Sequence, residues 1–413
     1  MQIYQVGGAV RDKILGKAIQ DTDHVVIGSS ETEMIALGYQ KVGKHFPVFL
    51  HPQTHEEYAL ARKEIKTAHG HKGFQFIFTP DITLEEDSLR RDFTCNAIYY
   101  NPETNEYFDF HKGMADIEKR ILRHISSHFS EDPLRVLRMC RFVAQLDFTV
   151  APETMSLCKQ MVSSGELSYL SPERIWQEIM KATKTEYFDK FILTAKESGA
   201  LAYILPEVSE LWQIPERQDY HPERNTGNHV ILCLQSAHSN DSLLNFAILL
   251  HDIGKIKTDK TQWPSHHHHD ELGVEVIKEI CHRLHIPNRY RDFAVFCARN
   301  HMVSHQSLSA NRYRLAQIAT ELADKFTAKD MERLLLLMRA DLCGRQLTQV
   351  KLDNFNIIAE ALRQLYHTAK KIKLSSLPEF PKMLAKLQAH EITSEEMYAY
   401  RVKTILNKTK LSV

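Results

Sequence analysis

Two acidic residues separated by a single threonine, Asp21 and Asp23, stand just before the apolar run Val25–Ile27. We expect both side chains to project to the same face of the strand, because residues two apart on a strand do so. Two converging carboxylates suit hard cations such as Mg²⁺. The chemistry they favour is phosphoryl transfer with two metal ions, although an isolated pair of this kind is more typical of an acidic turn.

Residues able to bind phosphate accompany this acidic pair. Gly7 and Gly8 follow a strand pattern and precede a helical one, so backbone N–H groups there can face a phosphate while Arg11 supplies a charge. Arg91 can clamp a phosphate with two hydrogen bonds or pair with Asp92. The alternatives are an ordinary tight turn for the glycines and a structural ion pair for the arginine.

A helix carrying three regularly spaced arginines is predicted from residue 132 onward. Asp132 is a good N-cap and Pro133 is a good first helical residue. Arg135, Arg138 and Arg141 recur at every third position and form one stripe. No acid shares that stripe, which favours a bound anion over a merely solvated arginine face.

A second set of potential ligands is rich in histidine. His229 and the pair His251–Asp252 have the spacing of ligands at the ends of two successive buried helices, and Asp341 offers a further carboxylate. Imidazole and carboxylate together suit a transition metal, and such a centre can generate a hydroxide that attacks phosphate. The pattern resembles the signature of HD phosphohydrolases. The run His266–His269 and His301 are expected to surround the ligands without binding the metal, or to be solvated.

The composition is that of a folded protein with several domains, since 43% of the 413 residues are hydrophobic and 25% are charged. Basic and acidic residues number 52 each, so any RNA site must be a local basic patch. Seven cysteines without a CxxC pair argue against a disulfide framework and a structural zinc site. We expect neither a secretory leader nor a membrane helix, since no apolar run approaches the roughly 20 residues that such a helix needs. The cysteine content fits a reducing cytoplasm best, so we expect a cytoplasmic protein.

The fold class predicted from the hydrophobic patterns is α+β, with a small mixed sheet in the N-terminal part. Helical periodicity dominates from about Pro133 onward, so the rest should be nearly all helix. The strand-like runs are Ile3–Val6, Val25–Ile27, Val48–Leu50, Tyr58–Ala61, Phe74–Phe78 and Ala97–Tyr100.

Taken in order, the motifs resemble the motif series of the class II tRNA nucleotidyltransferases. The matching segments are Gly7–Asp12, Asp21–Asp23, Arg90–Ala97, Glu131–Arg138 and Pro172–Glu178. The stretch Val48–Arg62 is similar to the long, HD-containing bacterial branch, so the resemblance spans essentially the whole chain. Departures at Cys95 and at His111–Gly113 touch no catalytic position.

This resemblance implies addition and repair of the 3′-terminal CCA of tRNA from CTP and ATP, with tRNA as partner. It implies that Asp21 and Asp23 are catalytic ligands of Mg²⁺. The implied nucleotide-binding residues are Gly8, Arg11, Arg91, Asp132, Arg135, Arg138 and Arg141. The implied HD ligands, for a transition metal such as Ni²⁺, are His229, His251, Asp252 and Asp341. The HD domain is then expected to hydrolyse 2′,3′-cyclic phosphodiesters, 2′-nucleotides and other phosphate esters.

The implied organisation has four parts. They are a nucleotidyltransferase head over 1–132, a helical neck with the nucleotide-selecting helix over 133–215, an HD-type domain over 221–345 and a helical tail over 346–413 that contacts tRNA. The tail ends in the basic run Arg401–Lys410, for which a solvated terminus is the plain alternative. The protein is expected to be a monomer or a homodimer and to bind no membrane.

Asp132 and Arg135 offer a way to select the base. Cytosine and adenine present an amino donor beside a ring-nitrogen acceptor, whereas uracil and guanine present a carbonyl acceptor beside an N–H donor. A carboxylate and a guanidinium match the first pattern and oppose the second. One protein pocket can therefore accept CTP and ATP without a nucleic-acid template.

Three other functions remain open. A bacterial poly(A) polymerase shares the head motifs, but it is expected to have a longer basic tail and no HD segment. A non-catalytic RNA-binding module would not need the intact pair Asp21 and Asp23. Alternatively, the HD domain is the main enzyme and the head is a nucleotide sensor, which a test of nucleotide incorporation into tRNA distinguishes.

Overall fold

The chain forms two compact units in a computed structural model that describes residues 1–19, 21–42, 48–66, 74–217, 223–306, 308–345, 348–409 and 411. Unit 1 comprises Met1–Ala182 and Lys190–Ile204, and unit 2 comprises Thr183–Asp189 and Leu205–Val413. Unit 1 contains every described strand, and the described part of unit 2 is helical, which confirms the α+β class. The finer division into four domains stays a prediction.

The strands are β1 (Gln2–Val6), β2 (Asp23–Ile27), β3 (Gln40–Lys41), β4 (Val48–Leu50), β5 (Glu57–Leu60), β6 (Lys63–Lys66), β7 (Phe74–Ile77), β8 (Tyr99–Asn101), β9 (Glu106–Phe108), β10 (Ile121–Leu122) and β11 (Thr149–Val150). The helices up to residue 204 are α1 (Gly8–Ile14), α2 (Glu31–Ala36), α3 (Leu84–Ser88), α4 (Gly113–Glu118), α5 (Leu134–Leu146), α6 (Pro152–Ser163), α7 (Pro172–Ala182), α8 (Phe188–Ser198) and α9 (Leu201–Ile204).

The remaining helices all belong to unit 2. They are α10 (Pro206–Glu210), α11 (Thr226–Ala237), α12 (Ser242–Leu250), α13 (His269–Arg283), α14 (Asn288–Asn300), α15 (Leu308–Lys325), α16 (Ala328–Cys343), α17 (Gln349–Lys371), α18 (Phe380–Gln388) and α19 (Ser394–Lys408). Among the helices described, none has the length and apolar character needed to cross a membrane.

Seven strands form one sheet in the order β3-β4-β5-β2-β1-β8-β9. Strand β2 runs parallel to β5, and the other neighbours in this sheet pair antiparallel. Val25 and Val26 enter different apolar clusters, because adjacent side chains on a strand face opposite sides of the sheet. Both faces of the sheet are therefore covered, which holds β1 and β2 firmly within unit 1.

Strand β2 begins at Asp23, not before Asp21. Val6 pairs with Asp23 at the end of β1, and the chain then turns at Gly7, where φ is 80° and a side chain would be strained. Because β1 has no residue left to pair with it, Asp21 lies outside the sheet. The expectation that both acids share one strand face is wrong for this reason.

Helix α5 begins one residue later than predicted. Pro133 occupies the cap position, while Asp132 Oδ1 still accepts the Leu134 N–H at 3.0 Å. The apolar side of the helix, including Leu137 and Cys140, is fully buried. This burial sets which way the arginine stripe points.

The helices of unit 2 bring histidines together at their ends. Asn225 caps α11 and Asp241 caps α12 through their side chains. Gly254, in the 3-10 turn that follows α12, lies against the start of α13, since a Cβ there would be 2.0 Å from the His269 carbonyl oxygen. The glycine therefore allows the start of α13 to approach the end of α12, where His251 lies.

Candidate active sites

A cavity of about 550 Å³ opens in unit 1. Of the nine head residues predicted to bind the nucleotide or its metal ions, eight line this cavity, and the exposed Asp21 does not. The eight are Gly8, Arg11, Asp23, Arg91, Asp132, Arg135, Arg138 and Arg141. The fold thus brings residues that are far apart in the sequence of unit 1, from Gly8 to Arg141, into the lining of one cavity.

The lining of this cavity is strongly cationic. It contains eight arginines and three aspartates, with Arg62, Arg90 and Arg174 joining the predicted arginines. Such an excess of guanidinium groups suits an anion with several phosphates. Asp23 lines the same cavity but forms no salt bridge within the described part of the chain, which leaves its carboxylate available to a cation.

Arg91 is held by a buried carboxylate that the motif pattern did not single out. Asp87 Oδ2 lies 3.1 Å from Arg91 Nη2 and accepts a hydrogen bond from the Tyr99 hydroxyl at 2.8 Å. Asp87 Oδ1 pairs with Arg90 at 2.8 Å. The alternative pairing of Arg91 with Asp92 is therefore wrong, because Asp87 is four residues back on the same side of a helical turn. Burial opposes ionisation of Asp87, but the two guanidinium groups hold its pKa well below the usual range.

Asp92 instead anchors Arg138. Arg138 Nη2 lies 2.5 Å from Asp92 Oδ2, and Asn96 donates to Asp92 Oδ1 at 3.1 Å. Arg11 in turn donates to Asn96 Oδ1 at 2.7 Å. Burial alone would raise the pKa of Asp92, but Arg138 and Asn96 lower it to about 2. This chain of contacts orients two of the predicted arginines, Arg11 and Arg138.

The two groups predicted to select the base have partners of their own. Arg174 Nη2 donates to both carboxylate oxygens of Asp132, at 3.0 and 3.3 Å. Arg135 donates to the backbone carbonyl of His128 at 2.8 Å and to that of Arg90. Both groups are therefore oriented before any ligand binds. Arg174 belongs to a matching segment of the sequence, but its link to Asp132 appears only in the fold.

Arg141 is not part of a solvated arginine face. It is buried, its Nε lies 2.5 Å from Glu178 Oε2, and its Nη1 donates to Gln145 at 2.7 Å. The acid that the stripe on α5 lacks is therefore supplied by α7. Arg141 joins these two helices while it lines the cavity.

The four predicted HD ligands meet at one buried place in unit 2. His229 Nε2 lies 3.0 Å from Asp341 Oδ1 and 3.7 Å from Asp252 Oδ2. His251 Nε2 lies 3.4 Å from that same Asp252 oxygen. All four side chains belong to residues that are at most 1% exposed. Imidazole and carboxylate donors at such separations can hold a metal ion.

Two atoms of this cluster are buried and make no well-formed hydrogen bond in the described chain, namely His251 Nε2 and Asp252 Oδ1. Buried polar atoms are rarely left unpaired, so a ligand that accepts electron pairs fits here. The groups of donor atoms within 4.8 Å of one another are His229, Cys233, His251 and Asp341, and His251, Asp252 and His301. Cys233 is thus an additional potential ligand that the sequence pattern did not reveal.

Two histidines expected around the ligands or in solvent belong to the cluster itself. His269 Nε2 and His301 Nε2 lie 3.2 and 3.3 Å from Asp252 Oδ1, and both residues are buried. Burial lowers the pKa of His301 to about 4, so its ring is neutral near neutral pH and can ligate a metal. His267 and His268 are exposed, as one of the alternatives for the run anticipated.

Two cations border the cluster. Lys255 Nζ lies 2.8 Å from Asp252 Oδ2, and Arg345 Nη2 lies 2.9 Å from Asp341 Oδ1. Both line a cavity of about 260 Å³, together with three histidines of the run from 266 to 269. Positive charge beside a potential metal centre suits a phosphate ester.

Three family models match the chain in succession. Residues 3–123 match the poly A polymerase head domain, and residues 147–211 match a probable RNA and SrmB-binding site of polymerase A. Residues 219–329 match the HD domain.

Curated relatives extend the similarity over nearly the whole chain. A multifunctional CCA protein of Vibrio vulnificus strain YJ016 is 43% identical, covering 91% of this chain and 93% of the relative. One of Shewanella frigidimarina strain NCIMB 400 is also 43% identical, covering 98% of this chain and 97% of the relative.

Solved structures share the fold at lower identity. The Bacillus stearothermophilus CCA-adding enzyme in complex with CTP has a TM-score of 0.57 at 21% identity, covering 99% of this chain and 94% of that chain. A complex of CCA-adding enzyme with ATP has a TM-score of 0.58 at 18% identity, covering 98% of this chain and 85% of that chain.

The contacts of Asp92 predict an acid-sensitive contribution to stability. Its folded pKa of about 2 lies below the unfolded value, so the stabilisation is full above the unfolded pKa and is lost as pH falls towards the folded one. Asp92→Asn should lower the free energy of unfolding at pH 7 by on the order of 2 kcal/mol, and the deficit should shrink to roughly half by pH 3. Chemical denaturation across this pH range measures both effects.

Glu103→Gln, at an exposed turn, is the control for loss of a carboxylate and should change little at any pH. A deficit in Asp92→Asn that stays constant from pH 7 to pH 3 would contradict the assigned coupling between Asp92 and Arg138.

Proposed function

Because this chain belongs to the family of multifunctional CCA proteins, we propose that unit 1 builds and repairs the 3′-terminal CCA of tRNA from CTP and ATP. The chain is a tRNA nucleotidyltransferase that carries an HD domain. The observation that carries the proposal is an arginine-lined cavity that also presents Asp23, a carboxylate with no salt bridge in the described chain. The direct test supplies purified protein with Mg²⁺, CTP and ATP and a tRNA lacking its 3′ end. Addition of C, C and A supports the proposal, whereas a run of A alone favours a poly(A) polymerase-like activity.

Asp21 and Asp23 are the residues that would hold Mg²⁺ in the head. Both are exposed, and carboxylate oxygens are the donors this ion prefers. When bound, two ions would activate the tRNA 3′-hydroxyl and neutralise the triphosphate. Arg11, Arg91 and Arg138 bind the phosphates, and their buried partners keep them oriented towards the cavity.

Asp132 and Arg135 select the base in this proposal. The carboxylate accepts from the amino group of cytosine or adenine, and the guanidinium donates to the neighbouring ring nitrogen. Uracil and guanine present the reverse pattern, so neither protein group could form its hydrogen bond to these bases. The remaining head residues, Gly8 and Arg141, contribute to binding of phosphate and ribose regardless of the base.

We also propose that unit 2 is a metal-dependent phosphohydrolase for 2′,3′-cyclic phosphodiesters, 2′-nucleotides and other phosphate esters. Its ligands would be the four predicted residues His229, His251, Asp252 and Asp341, which suit a transition metal such as Ni²⁺. Such an ion, when bound, supplies a hydroxide at neutral pH. Lys255 and Arg345 would bind the substrate phosphate. One use is removal of a phosphate from a damaged tRNA end, which leaves the hydroxyl that the head needs.

Replacing either head carboxylate tests the metal assignment. Asp23→Asn and Asp21→Asn should each lower addition of both C and A by about a hundredfold or more, because several kcal/mol of charge stabilisation is lost. Binding of tRNA, measured by filter retention, should change little. Glu103→Gln serves as the control, and near-normal incorporation by either variant would refute its assignment as a metal ligand.

Base selection is tested by competition among four nucleotides. Asp132→Ala or Arg135→Ala should relax the preference against UTP and GTP by roughly 10- to 100-fold, since a mismatched hydrogen-bonding pattern costs about 1–3 kcal/mol. Arg138→Ala, the comparison variant, should weaken the use of all four nucleotides without changing their order. If Asp132→Ala and Arg135→Ala showed that same uniform loss, the two residues would not select the base.

The division of labour is tested on one variant with two assays. His251→Ala should remove hydrolysis of 2′,3′-cyclic nucleotides but leave CCA addition unchanged, because its contacts lie within the unit 2 cluster. His282→Ala replaces an exposed histidine of the same unit that does not line the cavity beside the cluster, and it should affect neither assay. A parallel loss of CCA addition in His251→Ala would show that the two activities depend on each other.

A further inference from the structure

His269 and His301 place two further donor atoms beside Asp252, in addition to the four ligands proposed for the hydrolase. Asp252 Oδ1 lies 3.2 Å from His269 Nε2 and 3.3 Å from His301 Nε2. The two imidazole nitrogens lie 3.4 Å from each other. These three atoms form a nearly equilateral triangle among buried residues of unit 2.

The backbone fixes which ring nitrogen of each histidine faces the triangle. In His251, His269 and His301 alike, Nδ1 lies 2.7 or 2.8 Å from the backbone carbonyl oxygen of the residue three positions earlier. A carbonyl oxygen can only accept, so Nδ1 carries the hydrogen of the neutral ring and Nε2 presents a lone pair. Histidine ligands of metal ions are commonly oriented by such a bond. His269 and His301 are therefore held in the same way as His251, which is one of the four proposed ligands.

The triangle has the dimensions of three ligands around one metal ion. With ~2.0–2.2 Å between an ion and its nitrogen or oxygen donors, tetrahedral angles place the donor atoms roughly 3.3–3.6 Å apart. The observed separations of 3.2, 3.3 and 3.4 Å match this spacing. Asp252 Oδ1 is also a buried atom without a well-formed hydrogen bond in the described chain. A cation among the three atoms would give this oxygen the partner that buried polar atoms usually have.

The other oxygen of Asp252 faces the ligands already proposed. Oδ2 lies 3.4 Å from His251 Nε2 and 3.7 Å from His229 Nε2. Lys255 donates to the same oxygen at 2.8 Å, but a carboxylate oxygen has more than one lone pair and can also bind an ion. One carboxylate can therefore serve two ions, one at each oxygen.

Resting on the metal-dependent hydrolase proposed for unit 2, we propose that unit 2 binds two metal ions that share Asp252. The second ion is held by Asp252 Oδ1 and by Nε2 of His269 and His301. Two imidazoles and one carboxylate suit a transition metal and leave a position for water or substrate. The first ion keeps the four ligands proposed above, His229, His251, Asp252 and Asp341.

The second site lies on the side that a phosphate ester can reach. Among the six described residues of the two ligand sets, His269 alone lines the cavity of about 260 Å³ that also presents Lys255 and Arg345. An ion held by His269 would therefore add positive charge beside these two cations. A pair of ions can stabilise both the attacking and the leaving oxygen of a phosphate ester.

The competing explanation is that a proton, not a metal ion, binds within the triangle. One imidazole would then be charged and would donate to Asp252, so that His269 and His301 only offset the charge of a buried acid. The two explanations differ in the number of metal ions bound by each chain, and this number can be measured directly.

The ions of unit 2 are counted in a full-length parent protein that carries Asp21→Asn and Asp23→Asn, so that the head contributes no metal. The parent is stripped with a chelator, loaded with Co²⁺, dialysed and measured by elemental analysis, and it should retain two ions per chain. His269→Gln and His301→Gln should each retain one. The second ion should bind about a hundredfold more weakly or worse, since even an outer partner of a ligand contributes roughly 10- to 100-fold. His282→Gln replaces an exposed histidine on the same helix as His269 and should retain two ions.

Low-temperature EPR of the cobalt-loaded parent tests whether the two ions share Asp252. Ions bridged by one carboxylate are magnetically coupled, so the signal per cobalt should fall as the second equivalent binds. In His269→Gln the signal should remain that of an isolated ion.

A parent that retains a single ion overturns the second site and leaves the proposed hydrolase intact. A second ion that persists in both His269→Gln and His301→Gln does the same. Two ions without magnetic coupling overturn the sharing of Asp252. Retention of no ion by the parent overturns both the second site and the metal-dependent hydrolase.

Discussion

Charge balance around the arginine-lined cavity is the constraint on which unit 1 depends. Eight guanidinium groups in one lining would repel one another unless acids from neighbouring segments paired with them. Asp87, Asp92 and Glu178 supply these acids, and all three are buried. Removing either member of such a pair leaves an uncompensated charge, so each pair holds its partner in one place. The orientation of the paired arginines is therefore set by buried acids that lie beneath the surface of the cavity.

In unit 2 the charges are also paired, but here acids lie at the centre and cations surround them. The acids Asp252 and Asp341 lie at the centre, and the cations Lys255 and Arg345 border them. Five imidazoles surround or contact these carboxylates, those of His229, His251, His269, His301 and His305. An imidazole adds a donor atom for a metal ion but, unlike a carboxylate, no negative charge, so these rings extend the donor set without adding to the charge of the two acids.

Sequence patterns predicted well which residues converge, because each head motif is local and the order of motifs constrains the fold. The ion-pair and hydrogen-bond partners of these residues were harder to predict from the sequence. That Arg174 holds Asp132, and that Asp92 anchors Arg138, depends on how distant segments pack. The pairing of Arg91 with Asp87, four residues earlier, is local and was missed because Asp87 lies outside the motif. Helical periodicity could not show that Arg141 is buried, because the acid it meets, Glu178, lies on another helix.

The length of a strand and the number of residues in a ligand cluster were equally hard to predict, because both depend on tertiary packing. Asp21 lies outside β2 because its neighbour β1 ends at Val6, which pairs with Asp23. The sequence of residues 21–27 alone does not show where the neighbouring strand ends. His269 and His301 enter the cluster because the ends of α13 and α14 meet there, 32 residues apart in sequence. Cys233 could have been noticed from its position one turn after His229, but a single cysteine without a companion gave no reason to do so.

The two groups proposed to select the base, Asp132 and Arg135, differ in which protein atoms orient them, and this affects how the sequence can diverge. Arg135 is oriented by backbone carbonyls, those of His128 and Arg90, which any side chain at those positions would preserve. Asp132 is oriented by the side chain of Arg174, so its placement requires that particular residue. A substitution at position 128 can therefore leave the guanidinium of Arg135 in place. A substitution at position 174 removes the partner of Asp132, so a compensating change elsewhere is needed to keep the proposed nucleotide preference.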